Sequence, residues 1–269
     1  MSERDGYEHG VPCWVVGLAP DPDQAAAFYG GLFGWSFEPD EPVHVVARLR
    51  GRVVAGLAPL GPAGPEAAPG WVTQVQVQSA DAVAEQAAAL GGTVLAGPAD
   101  FSPAGRATVL RDPTGAVVGA WEPARRRGAE VVNEPGAWSM SSLVTPDPQA
   151  AARFYGELFG WTTESFDLGE ETMTMFRLPG YVGGEPQQPV SREVIATMSA
   201  MPAQQADAGV RPHWSAAFWV ADAAGAAAQA AELGGTVVAE PFDIGIGWSA
   251  VLADPAGGVF SVSQVGPPR

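Results

Sequence analysis

Few side chains in this 269-residue sequence can do chemistry, and their types narrow what it can be. All 14 basic residues are arginine, so Schiff-base chemistry and Walker-type phosphate binding, which use a lysine, are excluded. Cys13 is the only cysteine, which rules out an internal disulfide and any multi-cysteine zinc site. His9, His44 and His213 are the only histidines, and no Ser-His-Asp order, nucleophile elbow, dinucleotide fingerprint or phosphate loop accompanies them. His213 is the best placed general acid or base, because imidazole titrates near neutral pH. The other chemical resource is aromatic: nine tryptophans, enough to wall a pocket as well as fill a core.

Bulk composition sets the frame. Apolar residues make up 46% of the chain and charged residues 16%, a globular balance. A formal charge of −16 repels phosphate backbones and attracts cations, so nucleic acid is a poor partner, no nucleic-acid binding is expected, and a cationic small molecule is favoured. The start, Met1-Ser2-Glu3-Arg4-Asp5, is polar and no long apolar run follows, so neither a signal peptide nor a membrane span is expected and the expected location is cytoplasmic.

An internal repeat dictates the architecture. Pro20-Asp21-Pro22 and Phe28-Tyr29-Gly30-Gly31-Leu32-Phe33-Gly34-Trp35 return as Pro146-Asp147-Pro148 and Phe154-Tyr155-Gly156-Glu157-Leu158-Phe159-Gly160-Trp161, at an offset of 126. Leu90-Gly91-Gly92-Thr93-Val94 returns as Leu233-Gly234-Gly235-Thr236-Val237, and Asp112-Pro113-Thr114-Gly115 as Asp254-Pro255-Ala256-Gly257. The last offset is 142, so the second copy carries 16 further residues, placed in the Pro/Gly/Gln-rich stretch 179–212. Asp21 and Asp147 read as helix N-caps followed by proline, and Gly34 and Gly160 as stops. A second helix in copy one is expected to be capped by Asp81 and closed by Gly91. Strand-like runs flank each helix, so a module reads β-α-β-β, a strand-rich middle, then β-α-β-β. Module one is assigned to 1–128 and module two to 129–269, with a Pro/Arg-rich linker at 123–135.

A strand, then D-x-x-x-A-x-x-F-Y-x-x-x-F-G-W, L-G-G-x-V and D-P-x-G, resembles the vicinal-oxygen-chelate superfamily of glyoxalases, bleomycin-resistance proteins and dioxygenases. The match spans nearly the whole chain. It is most similar to a two-module actinobacterial subgroup that includes a mycobacterial antigen and "hydroxylase" proteins of antibiotic gene clusters. The resemblance implies an α+β fold of tandem βαβββ-type modules, built of paired curved mixed sheets with helices on the convex face and ligand cups on the concave face.

The same resemblance locates the metal ligands of metal-using relatives, and none is retained here. The first-strand positions are Trp14 and Met140, the second-half positions Val72 and Ser215, and the last-strand positions Gly119 and Ser261. Zn²⁺, Fe²⁺ and Mn²⁺ want imidazole, carboxylate or thiolate, so no metal and no cofactor is expected. His213, two residues before Ser215, shares the cup face but stands alone. Glu122 falls one pleat out of phase and reads as surface.

Strand alternation then gives the cup linings. Module one would present Pro12, Trp14, Val16, Val72, Gln74, Gln76, Val117, Gly119 and Trp121. Module two would present Trp138, Met140, Ser142, His213, Ser215, Ala217, Trp219, Val259, Ser261 and Ser263, with Trp248 near the rim. Aromatics, a methionine and a few hydroxyls suit a planar polycycle, and the acidic field suits an amine on it. Burying roughly 200–300 Å² of such a ligand yields about 5–8 kcal/mol gross, which ordering costs reduce to roughly micromolar affinity. The expected function is therefore a metal-free binder of an anthracycline-like aromatic natural product, serving self-resistance or a biosynthetic partner enzyme. The alternatives are a metal-independent isomerase, cyclase or hydroxylase component using His213, and a surface-recognition protein without a small ligand. Two modules in one chain favour a monomer.

Overall fold

The computed structural model describes residues 2–40, 44–60, 68–168, 171–183 and 192–266. After a short β1 (Ser2–Glu3), module one runs β2 (Pro12–Ala19), α1 (Pro22–Phe33), β3 (Ser36–Asp40), β4 (His44–Leu49) and β5 (Arg52–Pro59). It continues with β6 (Gly70–Gln76), α2 (Ala80–Ala89), β7 (Thr93–Phe101), β8 (Gly105–Arg111) and β9 (Val117–Pro123). The linker strand β10 (Val131–Val132) pairs with β1. Module two repeats the order as β11 (Trp138–Thr145), α3 (Pro148–Phe159), β12 (Thr162–Leu168), β13 (Glu171–Arg177) and β14 (Val194–Ala200). A short α4 (Ala203–Asp207) precedes β15 (His213–Trp219), α5 (Ala223–Glu232), β16 (Thr236–Asp243), β17 (Gly247–Ala253) and β18 (Val259–Val265).

Each module is one mixed sheet, ordered β3-β4-β5-β2-β6-β9-β8-β7 in the first and β12-β13-β14-β11-β15-β18-β17-β16 in the second. Within each, two βαβββ units meet through the antiparallel pairs β2–β6 and β11–β15, while β2–β5, β6–β9, β11–β14 and β15–β18 are parallel. A module is therefore two βαβββ units, and the chain holds four. A single bridge, Val259 to Gly70, joins the sheets.

The repeated motifs form these elements for local reasons. Asp21 accepts from the backbone N–H groups of Asp23 and Gln24, and Gly34 ends α1 at φ 71°, while Asp147 accepts from the Ala150 N–H and Gly160 (φ 76°) ends α3. One cap differs from expectation. Ser79, not Asp81, caps α2, and Asp81 pairs with Arg106 instead. The stretch 179–212 contains β14 and α4, and its residues 184–191 lie outside the described residues. Arg50 and Gly51 alone separate β4 from β5, whereas residues 178–193 separate β13 from β14.

The core is where the two modules meet. One cluster joins Phe28, Tyr29 and Phe33 of α1 with Phe218, Ala227, Leu252 and Phe260 of module two. A second joins Val83 and Ala87 of α2, Leu110 and Val118 with Phe154, Tyr155 and Trp214. The repeat motifs account for this exchange. Asp112 Oδ1 accepts from its own turn, at Thr114, Gly115 and Ala116, while its Oδ2 accepts from the Tyr155 hydroxyl at 2.8 Å. Asp254 Oδ2 accepts from Tyr29 at 2.9 Å in the reciprocal contact. Trp71 and Trp214 donate to those same tyrosine oxygens, at 3.1 and 2.9 Å. A Cβ on Gly92 or Gly235 would lie 3.0 or 2.8 Å from the phenylalanine, Phe154 or Phe28, of the opposite module. Backbone carbonyls of the same module crowd those positions as well, Ala87 and Arg111 beside Gly92 and Ala253 and Ala230 beside Gly235, so the second glycine of L-G-G is fixed by close approach from both sides of the module boundary.

Candidate functional site

Each sheet has one helix-covered face, which is core, and a second face without helices, the face on which the resemblance places the cup. Residues directly opposite in a ladder share a face, so the register assigns the lining.

In module one, Trp14 lies opposite Gln74 and Val16 opposite Val72, while Gln74 neighbours Gly119 and Gln76 neighbours Trp121. These side chains fill their own cup. Trp14 is 2% exposed, Trp121 5%, Gln74 7% and Val72 8%, and Val16, Val46 and Val53 are buried with them. Phe101 stacks on Trp121, and the Arg126 guanidinium sits 5.1 Å from the centre of the Trp14 ring while pairing with Asp40. The backbone carbonyl of Arg126 accepts from Trp121 Nε1 at 2.8 Å, and Gln76 donates to the backbone of Tyr7. The linker and the N-terminal segment therefore stopper cup one.

Module two is different. Met140 pairs with Ala217 and Ser142 with Ser215, while Ala217 and Trp219 neighbour Ser261 and Ser263. The register extends this face to Thr197 and Ser199, Met173 and Met175, Phe166, Val251 and Phe242. Met140, Ser142, Ser215, Trp219 and Ser261 are half-buried. Phe166 and Met173 are each 37% exposed, Val259 40% and Phe242 44%. Every exposed large hydrophobic side chain among the described residues belongs to module two, and these four lie on its cup face. Ser142 and Thr197 share a 2.5 Å hydrogen bond, and the Ser249 hydroxyl donates to the Val262 carbonyl.

Three residues expected in the cups lie elsewhere. A β-bulge between Trp138 and Met140 turns Trp138 onto the face of Phe218, where it is buried in the inter-module core with Nε1 donating to the Met140 carbonyl. The same bulge in β2 moves Pro12 opposite Val75, away from Trp14. Trp248 lies opposite Gln264 and two residues from Ala250, on the helix-covered face rather than at the cup rim. His213 remains on the cup face of β15, its Nδ1 2.8 Å from the Arg211 carbonyl. His9 Nδ1 accepts from the Gln78 N–H, His44 contacts Asp23, and Glu122 accepts from the Ala80 N–H at the start of α2.

The donor set does not fit a divalent metal in either cup. Trp14, Val72 and Gly119, and Met140, Ser215 and Ser261, supply no imidazole, carboxylate or thiolate. Among the described residues no group of three His, Cys, Asp or Glu side chains converges elsewhere. Gly119 shows how the space is reused: a Cβ there would lie 2.0 Å from Gln74 Oε1, so the amide occupies the room an acidic side chain would need.

The sequence matches the glyoxalase-like domain over residues 14–120 and 140–263. The chain belongs to the glyoxalase-like family. Among relatives of this glyoxalase-like chain is CFP32 of Mycobacterium tuberculosis, described as a candidate glyoxylase, 38% identical over 99% of both chains. The anthracycline biosynthesis protein DauV of Streptomyces sp. (strain C5) is 31% identical over 96% of this chain and 94% of its own. In fold, the chain is similar to the Mn(II)-bound glyoxalase of Novosphingobium aromaticivorans, with TM-score 0.64, 16% identity, and 99% and 84% of the two chains covered. It is also similar to the 2,3-dioxygenase LapB of Pseudomonas sp. KL28, with TM-score 0.62, 13% identity, and 98% and 96% covered. No helix among the described residues is long and apolar enough to cross a membrane.

Proposed function

We propose that this glyoxalase-like protein binds a planar aromatic natural product in the cup of module two, without a metal, and sequesters it or presents it to a biosynthetic enzyme. One observation carries the reading: the two cups diverge, since among the described residues Phe166, Met173, Phe242 and Val259 are exposed on the cup face of module two while cup one is packed shut. Phe166, Phe242 and Trp219 offer aromatic surface, and Met140, Met173 and Met175 offer polarisable side chains that adapt to a flat ring system. Ser142, Thr197, Ser215, Ser261 and Ser263 supply the few hydrogen-bonding groups that orient a ligand in an apolar pocket. Kinship with an anthracycline biosynthesis protein supports the ligand class, and the −16 charge favours an amine on the ligand.

Titration with an anthracycline while following tryptophan emission tests this. Seven of the nine tryptophans are buried in packed clusters, so quenching should come chiefly from Trp219. Trp219→Ala should weaken binding by about 1–3 kcal/mol, and salt should weaken it modestly, with a flatter salt dependence for the neutral aglycone. Unchanged emission and melting temperature would reject the ligand class.

A further inference from the structure

Beside the stoppered cup one lies a cleft of about 640 Å³ lined by Arg4, Arg48, Arg52, Arg125, Arg126 and Arg127. Among the described residues its lining carboxylates are Asp5 and Glu130, against a chain that carries 30 acidic residues to 14 basic ones. Six of the 14 arginines thus face one concavity in a strongly acidic protein. They come from four places in the chain: the N-terminal segment, the end of β4, the start of β5, and the segment after β9.

Their pairing leaves capacity for a ligand. Arg48 pairs with Glu38, Arg52 with Glu3, and Arg126 with Asp40, while Arg127 donates to the Asp5 carbonyl. Each guanidinium has five N–H donors, so one carboxylate partner does not saturate it. Among the described residues, Nε of Arg4 and Nη1 of Arg126 are buried with no hydrogen-bond partner. Such a stranded donor is costly unless something accepts from it. Arg125 is exposed and has no carboxylate at ion-pair distance among the described residues. Glu130 is occupied, its Oε2 accepting from the Val53 N–H at 2.8 Å.

We propose that this cleft is a second binding site, distinct from the module-two cup, for a small molecule bearing a phosphate or carboxylate group. Guanidinium forks match the geometry of both oxyanions and can hold them bidentately. Val53 and Ala104 line the cleft and also belong to the packing of cup one, giving the ligand's carbon skeleton an apolar wall.

The test uses the full chain at low ionic strength, titrated calorimetrically with inorganic phosphate, pyrophosphate and citrate. Arg125→Gln, an exposed substitution that should leave the melting temperature unchanged, is compared with Arg153→Gln on the exposed side of α3. Both remove one positive charge, so only a local site distinguishes them. Saturable binding of at least one of these anions is expected, weakened about tenfold or more by Arg125→Gln and unaffected by Arg153→Gln. A preference for the phosphates over citrate assigns the site to phosphate esters, and the reverse to carboxylates. Absence of saturable binding by all three, or equal binding to the two variants, overturns the proposal.

Discussion

Replacing Tyr29 with phenylalanine removes one oxygen atom and should cost far more than its volume suggests. The hydroxyl donates to Asp254 Oδ2 at 2.9 Å and accepts from Trp71 Nε1 at 3.1 Å. Both partners are only 5% exposed, so water cannot take the lost place. Two buried groups, one of them a carboxylate, are then stranded, and at about 1–3 kcal/mol for each the loss is about 3–5 kcal/mol. For a chain of this size that corresponds to a fall in Tm of about 6–20 °C. Tyr155→Phe should cost about the same, because Asp112 and Trp214 reproduce the arrangement at 2.8 and 2.9 Å. Reversible urea unfolding followed by circular dichroism measures both. If either variant lies within about 0.5 kcal/mol of the parent, the exchanged tyrosine–aspartate contacts do not hold the modules together and the reasoning fails.

Further expectations follow from the same packing. Trp138→Ala should destabilise the protein by about 3–5 kcal/mol while leaving ligand affinity in the module-two cup unchanged, since Trp138 is core; denaturant unfolding beside a binding titration separates the two effects. Burial, the largest cause, raises the pKa values of Tyr7, Tyr29, Tyr155 and Tyr181, which are all four tyrosines of the chain. The folded state therefore holds their protons longer than the unfolded state, so this contribution to stability is intact below about pH 10 and is lost as pH rises above it. For Tyr29 and Tyr155, which are 1% and 0% exposed, tyrosinate absorbance should consequently appear together with unfolding and not before it; a normal titration of all four tyrosines in native protein would contradict the packing. Elemental analysis after dialysis should find no stoichiometric zinc, iron or manganese, and one such ion per module would show that the cup registers are misassigned.

The architecture was legible because its signals are local. Pro-Asp-Pro caps, Gly34 and Gly160 stops and the ordered repeats announce helices and modules by residue type alone. What those repeats touch was not legible: periodicity places Tyr29 on an apolar helix face but cannot say that its partner is Asp254, 225 residues away. The cup lining was readable wherever alternation runs unbroken, as for Met140, Ser142, Ser215 and Ser261. It failed at Trp138, where a bulge shifts the phase of the strand with no glycine or proline between Trp138 and Met140 to announce it, and at Pro12, where alternation was carried through a proline that itself marks the bulge. Phe166, Met173 and Met175 went unassigned because the hairpin β12–β13 has no counterpart in the motif blocks, and Phe242 because the L-G-G-x-V block ends at Val237, five residues before it. The arginine cleft was hidden for a simpler reason, since Arg4, Arg48 and Arg125 meet only in three dimensions.

The proposed cup can be interrogated most directly through its methionines. Met140, Met173 and Met175 lie on the cup face, whereas Met198 is 2% exposed in the inter-module core. With methyl-labelled methionine, adding an anthracycline should shift the resonances of Met140, Met173 and Met175 through ring currents and leave that of Met198 in place. Shifts confined to other methionines, or none at saturating ligand, would contradict a binding cup in module two.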